Sequence, residues 1–398
     1  MRSTALSALL AARPQLQSVT SASAALRLRR HELLHAGPPL RDPRHPPAVL
    51  VSSIVMTCQH EGWARDASEA ETMLRDGTLT LSPAQGHRCV TPLAAIVSPC
   101  TPLFDVGDVA GGPAIFAPIS TLGGADARMG SRDPALLRRL RHRDVELAPA
   151  LHRAIERHGP IELWPLAACG LAAGDDLHSR TAGANAAFLD SLKLAGLGAT
   201  ADEVGANPLF FLTLWMAASA LILRAAEGGD VPSLVTRAGG NGEQFAIALA
   251  GRPDQWVGCD AEPPQGTQMS SIAPGTVVAN AVGDSAVIDV LGFGGQRLAC
   301  APEPLGVFKA YLPAEHGKLA GQLLAAPQPL LADGWPLGLD AARVVVHDTA
   351  PLVTLAMLAD DGVTGFVGRG LYRPPVSLFE RALRQLPVTL RAERLVIL

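Results

Sequence analysis

The chain has 398 residues, 48% of them hydrophobic and 18% charged, which is enough apolar material to bury a sizeable core and too little charge for a disordered chain. Its 33 basic and 37 acidic side chains leave a net charge of -4, and no dense Lys/Arg run offers a footprint for a phosphate backbone, which argues against nucleic acid as a partner. Cys58, Cys89, Cys100, Cys169, Cys259 and Cys300 form no CxxC pair, so they read as reduced, mostly buried thiols of a cytoplasmic protein rather than a disulfide frame or a zinc knuckle.

Residues 1–36 read as two short helices, the first amphipathic, ended by Gly37-Pro38-Pro39 in an extended turn. "PAVLVSSIVMTCQHEGWA" has helical length behind Pro46-Pro47, and "DASEAETMLRDG" predicts a short helix with Asp66 as cap, Glu69 at capping-box spacing and Gly77 as stop. From 78 to 120 the runs "TLTLSPAQGH", "LAAIVSP", "PLFDVGDVA" and "PAIFAPIS", separated by Gly and Pro, predict a first sheet. "DPALLRRLRHRDVELAPALHRAIERHG" returns to helix, with Asp133 capping, Pro134 at the first helical position and the Arg-rich run as a solvated face.

Residues 161–227 read as all-helical, and the uncharged "PLFFLTLWMAASALIL" within them, at sixteen residues, falls short of the about 20 that a bilayer needs. It predicts a buried core helix and no membrane span. Beyond Gly228, "SLVTRA", "EQFAIALAG" and "QWVGCD" read as strands, the first two joined by a hairpin at "GGNG". "DSAVIDVLGFGGQRLAC" fits helix or strand, "ARVVVHDTAPLVTLAML" and "GVTGFVGRGLYRPP" look like late strands, and "SLFERALRQL" closes the chain as a helix. The expected fold class is α/β (mixed α+β), with an N-terminal α/β region over 1–160, a helical region over 161–230 and a C-terminal α/β region over 231–398.

Three polar stretches carry candidate chemistry. In "AAGDDLHSRTAGAN", Asp175, Asp176, His178 and Arg180 put two carboxylates, an imidazole and a guanidinium within six residues, an acid/base set as catalysis uses or, equally, a cap on the next helix. In "TRAGGNGE", Arg237 beside Gly240, Asn241, Gly242 and Glu243 makes either an anion cradle or a plain turn. In "VGDSA", Asp284 and Ser285 stand at an apparent helix start, to cap it or to bind substrate. Glu61, His87 and Arg369 complete the candidate substrate-binding set, each with a structural alternative. No GxSxG, HExxH or CxxC anchors a serine hydrolase, zincin or redox reading, and neither cofactor nor metal is assigned. A metal-dependent hydrolase using His60, His87, Asp175 and His178 rests on residue type alone.

Taken in order, "LLHAGPP", "HEGWA", "TPLAAIVSP", "GDDLHSRTAGANAAFL", "NPLFFLTLWMAA", "VTRAGGNGEQFAIALAGRPDQWV", "VGDSAVIDVLGFGG" and "GFVGRGLYRPPVSLFERAL" resemble the YlbE/YahG-like family, from about Ala12 to about Leu386. The resemblance implies a subunit similar to one of oxamate carbamoyltransferase, in purine-nitrogen (allantoin) catabolism, working with an FdrA-like subunit and a small third subunit. That reaction interconverts oxalurate plus phosphate with oxamate plus carbamoyl phosphate. The resemblance brings no catalytic residue with it. Where relatives carry a His-rich run, this chain has Gln85-Gly86-His87-Arg88, which puts its particular substrate in question. On this reading His178 or Asp176 manages protons while Arg237, Asn241 and Gly242 hold the anion. The alternative is a non-catalytic subunit whose "PLFFLTLWM" region is an interface.

Overall fold

Pro14–Ser21 is a strand where helix was expected: it buries Pro14 and Leu16 two residues apart, and a register shift between Leu16 and Ser18 then brings Val19 to the core. The structure, a computed structural model, describes residues 3–121, 127–193, 196–314, 316 and 321–387. Helices Thr4–Ala11 and Ala22–Leu26 flank that strand, which sits inside an antiparallel sheet ordered Ile115–Pro118, Pro102–Asp108, Pro14–Ser21, Ile161–Glu162. A second antiparallel sheet is ordered Val282–Gly283, Val235–Asn241, Gln244–Leu249, Arg252–Asp260. A third joins Gln265–Gln268, Phe366–Tyr372 and Val353–Leu358. Two-stranded pairs, one of them the parallel Glu32–His35 with Thr80–Pro83, complete a mixed α/β fold.

The charge-free run forms the helix Phe211–Arg224, in which Phe211, Leu214 and Trp215 are fully buried. It packs against the first sheet, the strand Val235–Asn241 and the helix Ala286–Leu291. Trp215 meets Trp164 edge-on at 5.4 Å and Phe293 at 5.6 Å. Because this helix is core, it offers no apolar surface for the interface considered from sequence. Among the described residues no helix is long and apolar enough to cross a membrane. The largest apolar core draws on residues from Ala5 to Leu386.

Other expectations are corrected. "LAAIVSP" contributes one isolated bridge, Leu34 to Val97, rather than a strand. Ala341–Val346 is helical, capped by Asp340, and the strand begins only at Val353. The Arg-rich run is a helix, a π-helical turn over Arg143–Leu147 and a second helix, and Arg143 turns inward to pair with Asp144. Of the six free thiols only Cys58 and Cys89 are buried, whereas Cys100, Cys169 and Cys300 are exposed.

Candidate functional site

The polar turn between the helices Leu163–Ala172 and Ala182–Lys193 divides its side chains between two tasks. Asp175 accepts from the amide of Ala184 at 2.9 Å, capping the second helix, and pairs with Arg180, whose Nη1 also donates to the carbonyl of Ala173 at 3.1 Å. Burial pushes the Asp175 carboxyl above its ordinary range, against the pull of the helix amides and Arg180. Asp176, fully buried, accepts from the amides of His178 and Arg180 and from Ser179 Oγ at 2.7–3.1 Å. These bonds hold Leu177 at a φ of 65° and aim His178 away from the turn.

His178 Nδ1 lies 2.7 Å from Asp289 Oδ2, both groups buried. Asp289 comes from the helix Ala286–Leu291, and its other oxygen accepts from the amides of Gly295 and Thr354 and from Thr354 Oγ1. Burial opposes charge on the imidazole, but the facing Asp289 carboxylate outweighs it and holds His178 above its usual pKa. On Asp289 burial pushes the other way, towards the neutral acid, but four donors surround the carboxylate and hold the two groups as an ion pair. Gly294, at a φ of 53°, makes the pair possible: a Cβ there would overlap Asp289 Oδ1 and come within 2.9 Å of the His178 Cβ.

The dyad borders a cavity of about 190 Å³ lined by His178, Ser179, Ser285, Arg128 and Arg369, with apolar walls that include Leu212, Phe308 and Phe366. With Nδ1 given to Asp289, Nε2 is left without a hydrogen-bond partner among the described residues. Arg369 reaches the rim from the strand Phe366–Tyr372, where it donates to Ser179 Oγ at 3.1 Å and to Glu303 and lies over the Phe308 ring. Its Nε is buried without an acceptor among the described residues.

The remaining sequence candidates sit elsewhere. Arg237 is buried and committed to Glu227 and Asp254 at 3.2 and 3.1 Å. Gly240 lies so close to the carbonyl of Ala281 that any Cβ would overlap it. Asn241 donates to the carbonyl of Pro38 and accepts from the amides of Glu243 and Gln244, Gly242 turns the hairpin at a φ of 84°, and Glu243 accepts from the Arg41 amide. The hairpin is thus a seam between backbone segments. Asp284 is fully buried, accepting from the Gly37 and Thr91 amides and from Gln85 Nε2. Burial pushes its carboxyl up to about 7 despite those donors. His87 is exposed on the turn Ala84–His87, and Glu61 accepts from the Cys100 amide at 2.9 Å. His60, His87, Asp175 and His178 do not converge, so the metal-hydrolase arrangement does not form.

The family model for the oxamate carbamoyltransferase subunit AllG matches residues 79–285. The chain belongs to the AllG family. The oxamate carbamoyltransferase subunit AllG of Escherichia coli (strain K12) is 28% identical over 375 residues, covering 89% of this chain and 88% of that protein. The uncharacterized protein YahG of the same organism is 27% identical over 369 residues, 88% of this chain and 78% of its own length. In fold the chain is similar to a conserved protein of unknown function from Enterococcus faecalis V583, with a TM-score of 0.89, 24% identity and 96% of each chain covered. The family match includes His178 and Ser285 and stops short of Thr354 and Arg369, which line the same cavity, and of Asp289, which stands behind them against His178 and Thr354.

Asp289, Thr354 and Arg128 were missed from sequence. A signal for Asp289 was available: it is the lone acid of "AVIDVL", four residues after Ser285, so one helix face carries both towards the cavity side. Arg128 and Thr354 stand in stretches with no local pattern that marks them.

Proposed function

We propose that this chain is a subunit of a carbamoyl- or acyl-transferring enzyme resembling oxamate carbamoyltransferase, and that the cavity at His178 is where its substrate sits. The observation that carries the reading is the buried His178–Asp289 pair beside the arginine-rimmed cavity. Carbamoyl transfer between phosphate and an amide nitrogen needs an anion held in place and a proton managed at the nitrogen. In the direction from oxalurate, a phosphate oxygen bonds to the carbamoyl carbon and the bond from that carbon to the oxamate nitrogen breaks. The electron pair left on nitrogen takes a proton, which charged His178 supplies from Nε2; in reverse the neutral imidazole takes it back. Arg369 and Arg128 hold carboxylate or phosphate, and the Ser285 hydroxyl donates to the oxygen on which charge develops, while Ser179, its own proton given to Asp176, accepts from Arg369 and steadies it. Apolar walls keep the local dielectric low and strengthen each of these contacts.

The chain works in a hetero-oligomer, with an FdrA-like subunit and a small third subunit as partners, following the description of its AllG relative as one subunit of an enzyme. The test is phosphate release from carbamoyl phosphate and oxamate by this chain reconstituted with its partners. His178→Ala lowers the rate by about 10²–10⁴-fold, the usual worth of one general acid/base. An unchanged rate in the intact complex refutes the reading.

A further inference from the structure

Away from the cavity, three segments distant in sequence converge on a cluster that the proposed reaction leaves unused. His60 ends the helix Ala48–His60, Cys100 precedes the strand Pro102–Asp108, and Asp144 lies on the π-helical turn Arg143–Leu147. Their ligating atoms all fall within 4.8 Å of one another, with His60 Nε2 2.6 Å and Cys100 Sγ 3.9 Å from the same oxygen, Asp144 Oδ2. Among the described residues this is the one group of three or more side chains so placed.

We propose that His60, Cys100 and Asp144 bind a Zn²⁺ ion, with water in the fourth position on the exposed side.

Imidazole nitrogen, thiolate and carboxylate are the zinc donor types, and this mixture of borderline, soft and hard atoms suits Zn²⁺ better than Mg²⁺ or Ca²⁺, which take oxygen. Tetrahedral zinc with bonds of about 2.0–2.3 Å sets its ligands roughly 3.3–3.7 Å apart. The His60–Asp144 contact therefore opens by about an ångström and the Cys100–Asp144 contact closes by a few tenths, both within the reach of side-chain rotation. The supporting groups are in place too. Arg143 Nε donates to Asp144 Oδ1 at 2.7 Å and so turns Oδ2 towards the site, and Glu61 accepts from the Cys100 amide at 2.9 Å and fixes that backbone. Charges balance: two cationic charges on zinc and one on Arg143 meet the Cys100 thiolate, Asp144 and Glu61. The Cys100 thiol proton leaves to solvent on binding. A π-turn placing a ligand is a recurrent device at functional sites, and the half-buried His60 and Asp144 with the exposed Cys100 leave an entry path. The ion ties together three segments that otherwise meet through hydrogen bonds.

The experiment uses the full chain, reduced, stripped with a chelator and titrated with Zn²⁺ against a chromophoric competitor, then with Co²⁺ as a spectroscopic substitute. The expected result is one Zn²⁺ per chain, a thiolate-to-cobalt charge-transfer band and a melting temperature raised by zinc. Cys100→Ser loses the band and weakens Zn²⁺ binding by about 100-fold or more, since even outer-shell partners of such ligands are worth about 10–100-fold. Cys300→Ser, which removes another exposed thiol, keeps both. Absence of stoichiometric uptake by a chain with intact near-ultraviolet circular dichroism, or equal uptake by Cys100→Ser, overturns the proposal.

Discussion

Replacing Asp289 by Asn removes the charge opposite His178 while nearly preserving its shape, so the effect of the pair can be followed by itself. The imidazole Nδ1 stands 2.7 Å from the carboxylate and both side chains are buried. Unit charges about 4 Å apart at an effective dielectric of about 20 attract by about 4 kcal/mol, and breaking a buried pair costs about 3–5 kcal/mol. The variant can recover part of this by leaving His178 neutral, because burial, the largest influence on the ring, then outweighs the weaker remaining pull of Asp176 and takes its pKa below the ordinary value. The sign of the pH dependence follows. A histidine whose folded pKa is raised contributes stability that is full below its unfolded pKa of about 6.5 and lost as pH rises through the folded value. Wild type and Asp289→Asn should therefore differ by about 3 kcal/mol in urea unfolding at pH 6 and by distinctly less at pH 9. With ¹³C-labelled histidine, the His178 ring signal should show a charged imidazole near neutral pH in wild type and a neutral one in the variant. A stability gap that stays the same at both pH values, or a His178 still charged near neutrality in the variant, refutes the ion pair.

Asp284 behaves with a simple sign of its own. Its folded pKa of about 7 lies above the unfolded value of about 3.9, so the folded state holds the proton more tightly and stability falls between those pH values, by up to about 4 kcal/mol at 1.36 kcal/mol per unit. Asp284→Asn removes that slope, and parallel urea titrations at pH 5 and pH 8 would expose a slope that persists. Gly294→Ala forces an αL alanine, at about 1–2 kcal/mol, and displaces Asp289 and His178; calorimetry should show the lower melting temperature, and the intact complex a larger loss of rate than the stability change explains. Arg369→Ala removes a charge-assisted donor worth about 1.5–3 kcal/mol and should raise KM for the anionic substrate by about 10–100-fold, whereas an unaltered KM places the anion elsewhere.

The sequence was most readable where one residue type repeats with one period. Phe211–Arg224 has no charge until its last residue and is too short for a bilayer, so burial was the remaining choice. Pro14–Ser21 was misread because a register shift between Leu16 and Ser18 blurs its alternation, and Ala341–Val346 because β-branched valines prefer strands until Asp340 caps a helix there. At the candidate site, His178 stood out as a polar residue among alanines, but its partner lies 111 residues further on, and only the tertiary fold joins them, with the Gly294 amide donating to the Asp176 carbonyl of the turn at 2.8 Å. Arg237 with its glycines looked like an anion cradle because a close approach of two backbones selects the same residues as a close approach to a ligand. Asp175 and Asp176 resembled a catalytic pair because capping and turn-forming carboxylates are also placed next to one another.

The most direct measurement is chemical rescue of the reconstituted complex, in which His178→Ala is assayed for phosphate release with and without added imidazole. If His178 Nε2 carries the proton in the cavity of about 190 Å³, free imidazole restores part of the rate, while Arg237→Ala, outside the cavity, keeps substantial activity. A His178→Ala complex that is fully active without imidazole would contradict the account.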